Sequence, residues 1–552
     1  MNKKVCSFPI LFALLALLIG TCAVVFPASA QAAPTSTGSI TVSGTVASSY
    51  DAYQIFSANV VDGDSDAKIA TDLAWASDAV RDAVLPVLHS AGMPNSQTTA
   101  QEAAEWLNTD SHLTSVLSAQ LARSLQSSGA VSVALNAGTA AELPCGYWLI
   151  VADDGAIAQG EAGTAPIMAL VGGSAVAVKP KAATPKVAKH VLEDSAAAWQ
   201  KAADATVADD LYWRLSATVP AGLTAYDTYV VQFVDTMSAG LDPSKVAASM
   251  RVYVAAGADG GFDAVSAGKD GRAGAEPAKG WTDITAQCAT KVAADGKTFT
   301  VRTGDLIAAL GGADAFTAGA RVVAVYNAPL NSACNHGIAK GNPNEVYLRY
   351  PRSPFADQSG DAGFTRTPSD DATAYTWDLA LTKRSSNGDK PLAGAVLSIA
   401  DDRGRTLAAD GTWDAEGKAT VTTGEDGRVT VSGVDSGKLE VRELKAPKGY
   451  TAFEGTRSVT VKAEGLDVDQ VAAAKPKLTI TAESPLRADS ADGSTGSLEA
   501  SLINTPTNVP PRGFMPSTGD MAMYAAAAAA VAGAALIVVA LLVKRGGGSH
   551  KE

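Results

Sequence analysis

Cysteine is scarce in this chain, with five residues in 552. Cys6 and Cys22 fall in the N-terminal stretch, and only Cys145, Cys288 and Cys334 lie in the body. A disulfide-dense scaffold is therefore excluded. Cys288 and Cys334 fall in one expected domain and an oxidising compartment allows them to pair, but three unpaired thiols fit the composition equally well. Histidine is as rare, at five residues, which leaves a zinc site little to work with. Basic charge is in deficit: 44 Lys and Arg stand against 57 Asp and Glu, a net charge of −13. That balance argues against a nucleic-acid partner and fits a self-repelling, soluble surface. No Gly-x-Ser-x-Gly elbow, His-Glu-x-x-His pair or phosphate-cradling glycine loop occurs, so neither an enzyme nor a cofactor is expected. Long apolar runs are missing from the interior and occur only near the two ends.

Those ends carry recognisable signals. Asn2-Lys3-Lys4 is a short basic region, Ile10 to Ile19 is apolar, and Ala28-Ser29-Ala30 offers small residues. This is the pattern of a secretory signal peptide over residues 1–30, with Ala32 or Ala33 as neighbouring cleavage positions. Thr21 is too large for the residue before a lipidated Cys22. At the other end stands Met515-Pro516-Ser517-Thr518-Gly519, then Asp520, an apolar run from Met521 to Val543, and Lys544-Arg545. About 20 apolar residues span a bilayer as a helix, and the basic pair holds the far side in the cytoplasm. The segment 515–552 resembles the cell-wall sorting signal of Gram-positive surface proteins, Leu-Pro-x-Thr-Gly with an apolar span and a basic tail. Met515 replaces the Leu, a volume-conserving swap. The resemblance implies that a sortase cuts between Thr518 and Gly519 and passes Thr518 to an amine. It also implies peptidoglycan as a partner and membrane contact only before sorting.

Roughly 490 residues lie between these ends, enough for about three domains. Their pattern is mainly β: tandem immunoglobulin-like β-sandwich domains preceded by a mixed α+β N-terminal domain. In residues 31–180, Gly38 to Ala47 alternates as a strand and Tyr50 to Phe56 continues it. From Ala67 to Leu88 the apolar residues Ile69, Leu73, Ala76, Val80, Val84 and Leu88 take helical spacing. A second helix is expected from Thr98 or Thr99, with Gln101 and Glu102 placed for a capping box, running through Trp106 and, after a break, toward Leu125. Strands return at Val131–Leu135 and Gly146–Val151. Asp62-Gly63-Asp64-Ser65-Asp66 spaces its oxygens as calcium loops do but lacks the closing Glu, which favours a solvated acidic turn.

Residues 181–371 read as all-β, with alternating segments at Leu211–Val219, Thr228–Val234, Met250–Val254, Thr298–Val301, Arg321–Tyr326 and Glu345–Tyr350. The Tyr53-Gln54-Ile55-Phe56 and Gly146-to-Ile150 strands, with Val176-Ala177-Val178-Lys179-Pro180-Lys181, resemble the N-terminal domain of backbone pilins of sortase-built pili. In that family a Tyr-Pro-Lys-Asn core carries the lysine that attacks the sortase acyl-enzyme, which implies Lys181 here. Lys179 and Ala182 replace the Tyr and the Asn. Three further features resemble the isopeptide-forming middle domain of the same family: Pro185 to Lys189, Val231 to Met237 followed by Gly240-Leu241, and Gly341 to Leu348. The resemblance implies Lys189 as the amine, Asn344 as the carboxamide and Asp235 as the acid that promotes their coupling. Asn342 rivals Asn344.

In residues 372–510, Trp377-Asp378-Leu379-Ala380-Leu381-Thr382 alternates into Lys383, and Leu439 to Tyr450 and Ala500 to Pro506 follow. This resembles the B-type repeat of collagen adhesins, common in pilins. Glu443, Ala446, Pro447, Gly449 and Tyr450 agree with the pilin E-box, while Leu439, Val441 and Leu444 depart from its Tyr, Leu and Thr. The resemblance implies Lys383 as the amine, Asn504 as the carboxamide and Glu443 as the proton-shuttling acid. Burial disfavours a charged amine and a charged carboxyl alike, so such a site needs no external enzyme. The expectation is a secreted, wall-anchored structural subunit whose partners are sortase, peptidoglycan and further pilin subunits, with Thr518 joined to Lys181 of the next copy. A wall-anchored monomeric adhesin or a basal pilin is the alternative.

Overall fold

A computed structural model describes residues 36–507, apart from 45, 64–66, 110–111, 164, 181–183, 220–224, 258–279 and 313–318. The expected signal peptide, Lys181, most of the acidic 62–66 loop, and the sorting signal with Thr518, Gly519 and its 521–543 span lie outside the described residues. Among the described residues, no helix is long and apolar enough to cross a membrane. The architecture is mainly β, in paired sheets.

The N-terminal region is mixed α+β. Thr37–Val42 lies between Ala140–Pro144, antiparallel, and Val176–Val178, parallel. The 14-residue Ser49–Asp62 strand organises a second sheet, with Gly146–Ala152 on one edge and both Lys68–Trp75 and Ser132–Asn136 on the other. Helices Asp78–Ser90, Ala100–Asn108 and Ser115–Ser128 cover it, packing Val84, Leu88, Leu121 and Leu125 against Ile55 and Leu149. Thr99 and Glu102 form the expected capping box. The helical spacing from Ala67 misleads for its first part. Lys68–Trp75 is a strand, and the helix starts only after Ser77, whose Oγ accepts from Val80 N at 3.2 Å. An open edge of the long strand offers Lys68–Trp75 a full ladder, and such tertiary pairing overrides a short apolar period.

The next region is a two-layer sandwich. One sheet runs Ala198–Gln200, Lys186–Glu193, Tyr212–Val219, Ala320–Asn327, Arg251–Ala256, Thr282–Asp283. The other runs Ala202–Asp204, Asp370–Tyr375, Asn342–Pro351, Gln232–Met237, Thr298–Arg302, Ala289–Val292, with Phe364–Arg366 beside Asn342–Pro351. Alternate residues of both layers meet in one core that includes Trp213, Phe233, Phe299, Tyr326 and Tyr350. Cys145, Cys288 and Cys334 are free thiols, so the pairing left open by composition is absent.

A second sandwich follows after a single residue, Thr376, since strand Asp370–Tyr375 runs on into Trp377–Ser385. In its first sheet Trp377–Ser385 lies between Arg428–Val434 and Ser497–Pro506, the latter parallel to it. The facing sheet centres on Val396–Ala400, Gly437–Lys445 and Thr456–Glu464. Trp377, Leu379, Leu381, Val441, Leu498 and Leu502 fill the space between.

Polar contacts close the joint between the sandwiches. Asp204, 2% exposed, accepts from Trp377 Nε1 at 2.5 Å and from Ser436 N and Oγ at 2.9 and 2.5 Å. Arg405 grips Asp209 with both terminal nitrogens at 2.5 and 2.7 Å, and His336 Nδ1 lies 2.8 Å from Asp378. Glu193, Asp194 and Asp435 crowd the same place. Burial, then Asp204, pushes the Glu193 carboxyl up to about 8, while burial and their neighbours raise Asp194 and Asp435. Arg403 lies 3.8 Å from Asp194. Carboxyls raised in the folded state hold protons that the unfolded chain has released. Their neutral form therefore suits the joint below the ordinary carboxylate range, and stability falls as pH rises through about 8. The melting temperature is expected to drop between about pH 5 and about pH 9, and Asp435→Asn is expected to flatten that drop. A drop unchanged in Asp435→Asn places its origin elsewhere.

Candidate functional site

Two interior clusters stand out because each buries a lysine amine completely. In the first sandwich, strand Lys186–Glu193 alternates Val187, Lys189, Val191 toward the core, so the lysine occupies an apolar-face position. Asp235 takes the equivalent place between Phe233 and Met237, and Asn344 lies on the inward face of Asn342–Pro351 with Val346 and Leu348. Lys189, Asp235 and Asn344 are each 0% exposed. The lysine comes from one sheet, and the acid and the amide from adjacent strands of the other.

Lys189 Nζ donates to Asp235 Oδ2 and, at 2.9 Å, to the hydroxyl of Tyr326. That hydroxyl donates to Asp235 Oδ2 at 2.9 Å and accepts from Asn344 Nδ2 at 2.8 Å. Tyr326 thus joins all three expected residues, and its one donor and two acceptor positions are filled. Asp235 Oδ1 and Asn344 Oδ1 are buried without a partner. Trp213 and Tyr326 flank the amine, their ring centroids 5.5 and 5.4 Å from Nζ. Burial pushes the Lys189 amine down to about 8 against the pull of Asp235, and burial pushes the Asp235 carboxyl up against the pull of Lys189. Both shifts favour the neutral pair, an amine beside a carboxylic acid. Burial, reinforced by Asp235, raises Tyr326 well above its ordinary value and keeps it a phenol.

Asn342 shares the inward face of its strand but points its amide elsewhere. It accepts from Asn335 N at 2.8 Å and donates to Asn335 O at 2.9 Å and to Ala374 O at 3.2 Å. Of the two asparagines, Asn344 is the one bonded to the hydroxyl that also meets the lysine and the acid.

The second cluster lies in the last sandwich. Leu379, Leu381 and Lys383 alternate inward on one strand, and Leu498, Ala500, Leu502 and Asn504 on its parallel neighbour. Glu443 follows Leu439 and Val441 on the facing sheet. Lys383 Nζ donates to Asn504 Oδ1 and, at 3.4 Å, to Leu502 O, and it lies 3.4 Å from Glu443 Oε1. Asn504 Nδ2 donates to Glu443 Oε1 at 2.9 Å, and Phe453 N to Oε2 at 3.1 Å. Burial pushes the Lys383 amine down to about 8 against the pull of Glu443.

Sequence reasoning missed Tyr326. It stands in an alternating run, Ala320–Asn327, where an inward tyrosine reads as packing, and only its hydroxyl contacts distinguish it. Among the described residues, no set of three or more His, Cys, Asp or Glu is arranged to hold a metal ion.

The fold and these clusters define a protein of tandem β-sandwich modules, each with a lysine, an acid and an asparagine locked in its interior. Residues 378–475 match the SpaA prealbumin-like fold domain, a stretch that contains Lys383 and Glu443. The chain is 30% identical over 143 residues to the trypsin-resistant surface T6 protein of Streptococcus pyogenes serotype M6, spanning 24% of each chain. Among solved structures it is similar to the T6 backbone pilin of the same serotype, at 16% identity and a TM-score of 0.46, covering 85% of this chain and 98% of that one. It is also similar to the major pilin SpaD of Corynebacterium diphtheriae, at 14% identity and a TM-score of 0.42, covering 85% and 98%.

Asp235→Ala leaves the Lys189 amine without its carboxyl partner, so it must either stay buried as an unpaired charge or give up its proton. About 3–5 kcal/mol of stability is expected to be lost, read from denaturant unfolding of the first sandwich. A loss below about 1 kcal/mol shows that the amine carries no buried charge once Asp235 is gone.

Proposed function

We propose that this chain is the shaft-forming subunit of a covalently polymerised surface pilus, secreted and anchored in a Gram-positive cell wall. The observation that carries the reading is the pair of dry lysine–acid–asparagine clusters, one in each sandwich. Ion pairs alone explain them poorly, because buried pairs barely repay their desolvation. A covalent bond explains them well.

In the proposed reaction Lys189 passes one proton to Asp235 and becomes a neutral amine. Its Nζ forms a bond to Cγ of Asn344, the Cγ–Nδ2 bond breaks, and ammonia leaves. Lys383, Glu443 and Asn504 do the same in the second sandwich. No oxidant and no cofactor is needed. Folding supplies the rate by holding the partners together, equivalent to an effective molarity of about 10⁵ M or more. Glu443 and Asp235 act as the promoting acids.

Between subunits, a sortase is proposed to cut Thr518 from Gly519 and join Thr518 to Lys181 of the next copy. Tension entering at Lys181 and leaving at Thr518 then crosses both sandwiches. The Lys383–Asn504 bond would tie the first and last strands of the second sandwich across 121 residues. By loop entropy that is worth about 4–5 kcal/mol, and under load it keeps parallel neighbours from shearing apart. The N-terminal region lies off this path.

Peptide mapping of the full-length chain is expected to give two branched peptides, Lys189–Asn344 and Lys383–Asn504, each one ammonia lighter than its parts. Lys383→Ala and Glu443→Ala are expected to lose only the second of these, and Lys189→Ala only the first. Linear peptides throughout would sink both cross-links. In the producing cell, Lys181→Ala is expected to abolish the high-mass ladder of wall extracts. A ladder that persists assigns the acceptor amine to another lysine, and a parent without one makes the chain a wall-anchored monomer.

A further inference from the structure

We infer that Tyr326 is a catalytic residue of the Lys189–Asn344 coupling, carrying a proton from the attacking amine to the departing one. The inference rests on the cross-linking read above and adds to it a component that its lysine, acid and asparagine do not include.

The leaving group poses the problem. After Nζ attacks Cγ, the tetrahedral carbon bears two nitrogens, and Nδ2 departs as ammonia only if it gains a proton while Nζ loses one. In water the solvent does this, but all four side chains are 0% exposed. Asp235 has accepted the first proton of Lys189 and is a carboxylic acid by this stage. A second group must touch both nitrogens. The Tyr326 hydroxyl lies 2.9 Å from Nζ and 2.8 Å from Nδ2, and it is also bonded to Asp235 Oδ2 at 2.9 Å.

The resting hydrogen bonds set the order of events. While the pair is still charged, before the amine gives up its proton, the phenol donates to Asp235 Oδ2. When Lys189 delivers its proton to that oxygen, Oδ2 becomes a donor and the phenolic hydrogen is released. The hydroxyl then turns that hydrogen to Nδ2 as its oxygen takes the second proton of Nζ. Tyr326 ends as it began, and the products are the amide, ammonia and neutral Asp235. Five hydrogens are shared among Nζ, Nδ2 and the carboxyl before and after.

The orphaned oxygens agree. With Nδ2 turned toward Tyr326, Asn344 directs Oδ1 into a buried place without a partner, and Asp235 Oδ1 is equally unpartnered. Tyr326 thereby fixes which end of the amide faces the relay. The second sandwich lacks this device: Asn504 Nδ2 donates to Glu443 itself, so one carboxylate meets both nitrogens there. The two sites therefore divide the same proton traffic differently, and one chain carries its own control.

Full-length chain is synthesised in a cell-free system, quenched in denaturant at intervals, and mapped for both branched peptides. Tyr326→Phe keeps the ring and removes the hydroxyl. It is expected to slow the Lys189–Asn344 peptide by about 10²-fold, the scale of a lost proton relay, and to leave Lys383–Asn504 at the parent rate. With the relay gone, no group touches both nitrogens, and the residual rate is expected to follow a pH profile different from the parent's. A purely structural role would slow the reaction while keeping the parent pH profile. Should Tyr326→Phe fail to fold, 3-fluorotyrosine at the same position keeps ring and hydroxyl with a more acidic proton. A shifted rate is then expected, and an unshifted one overturns the relay. Formation at the parent rate in Tyr326→Phe overturns it too. A parent without the Lys189–Asn344 peptide overturns the cross-link reading itself.

Discussion

Everything else in the two sandwiches is arranged around the cost of taking a lysine amine out of water. Lys189 and Lys383 are both fully buried, and an ammonium in such a place costs several kcal/mol after every relaxation the protein allows. The structure offsets that cost with a carboxyl beside each amine and, around Lys189, with the rings of Trp213 and Tyr326. The same arrangement moves both groups toward neutrality. In the proposed reaction a neutral amine beside a carboxamide is the nucleophile, so the feature that burdens the folded chain would also be the one that makes it reactive.

Position within the sheets gives the clusters their mechanical meaning. Lys189 sits in one layer of its sandwich and Asn344 in the other, so a bond between them staples the two sheets through the core. Lys383 and Asn504 lie on adjacent parallel strands, so the proposed bond between them would staple the ends of one sheet. Between the sandwiches the chain runs from strand to strand through Thr376 alone, and Asp204, Arg405 and His336 tie the flanks of that passage. No long linker is present there to yield under load.

The period-two pattern made much of this legible. Val-x-Lys-x-Val around Lys189, Leu-x-Leu-x-Lys at Lys383 and Leu-x-Asn at Asn504 put polar side chains where the strand buries its face. Such exceptions to patterning mark sites. The period-two pattern gave no help at Ala67–Trp75, where apolar residues at helical spacing belong to a strand because a neighbour offered an open edge. It was silent on Tyr326, since an inward tyrosine with a chemical task and one that only packs have the same sequence signature.

By itself the sequence determined the class of the fold, the alternation that buries each lysine, and the scarcity of thiols and histidines. These follow from local periodicity and composition, which act over a few residues. Only the tertiary structure decided that Asn344 rather than Asn342 shares the Tyr326 hydroxyl with Lys189 and Asp235, and that four carboxyls meet at the joint. Those choices depend on strand register and on which sheets face each other. Residues more than a hundred positions apart meet there, and no local preference encodes the meeting.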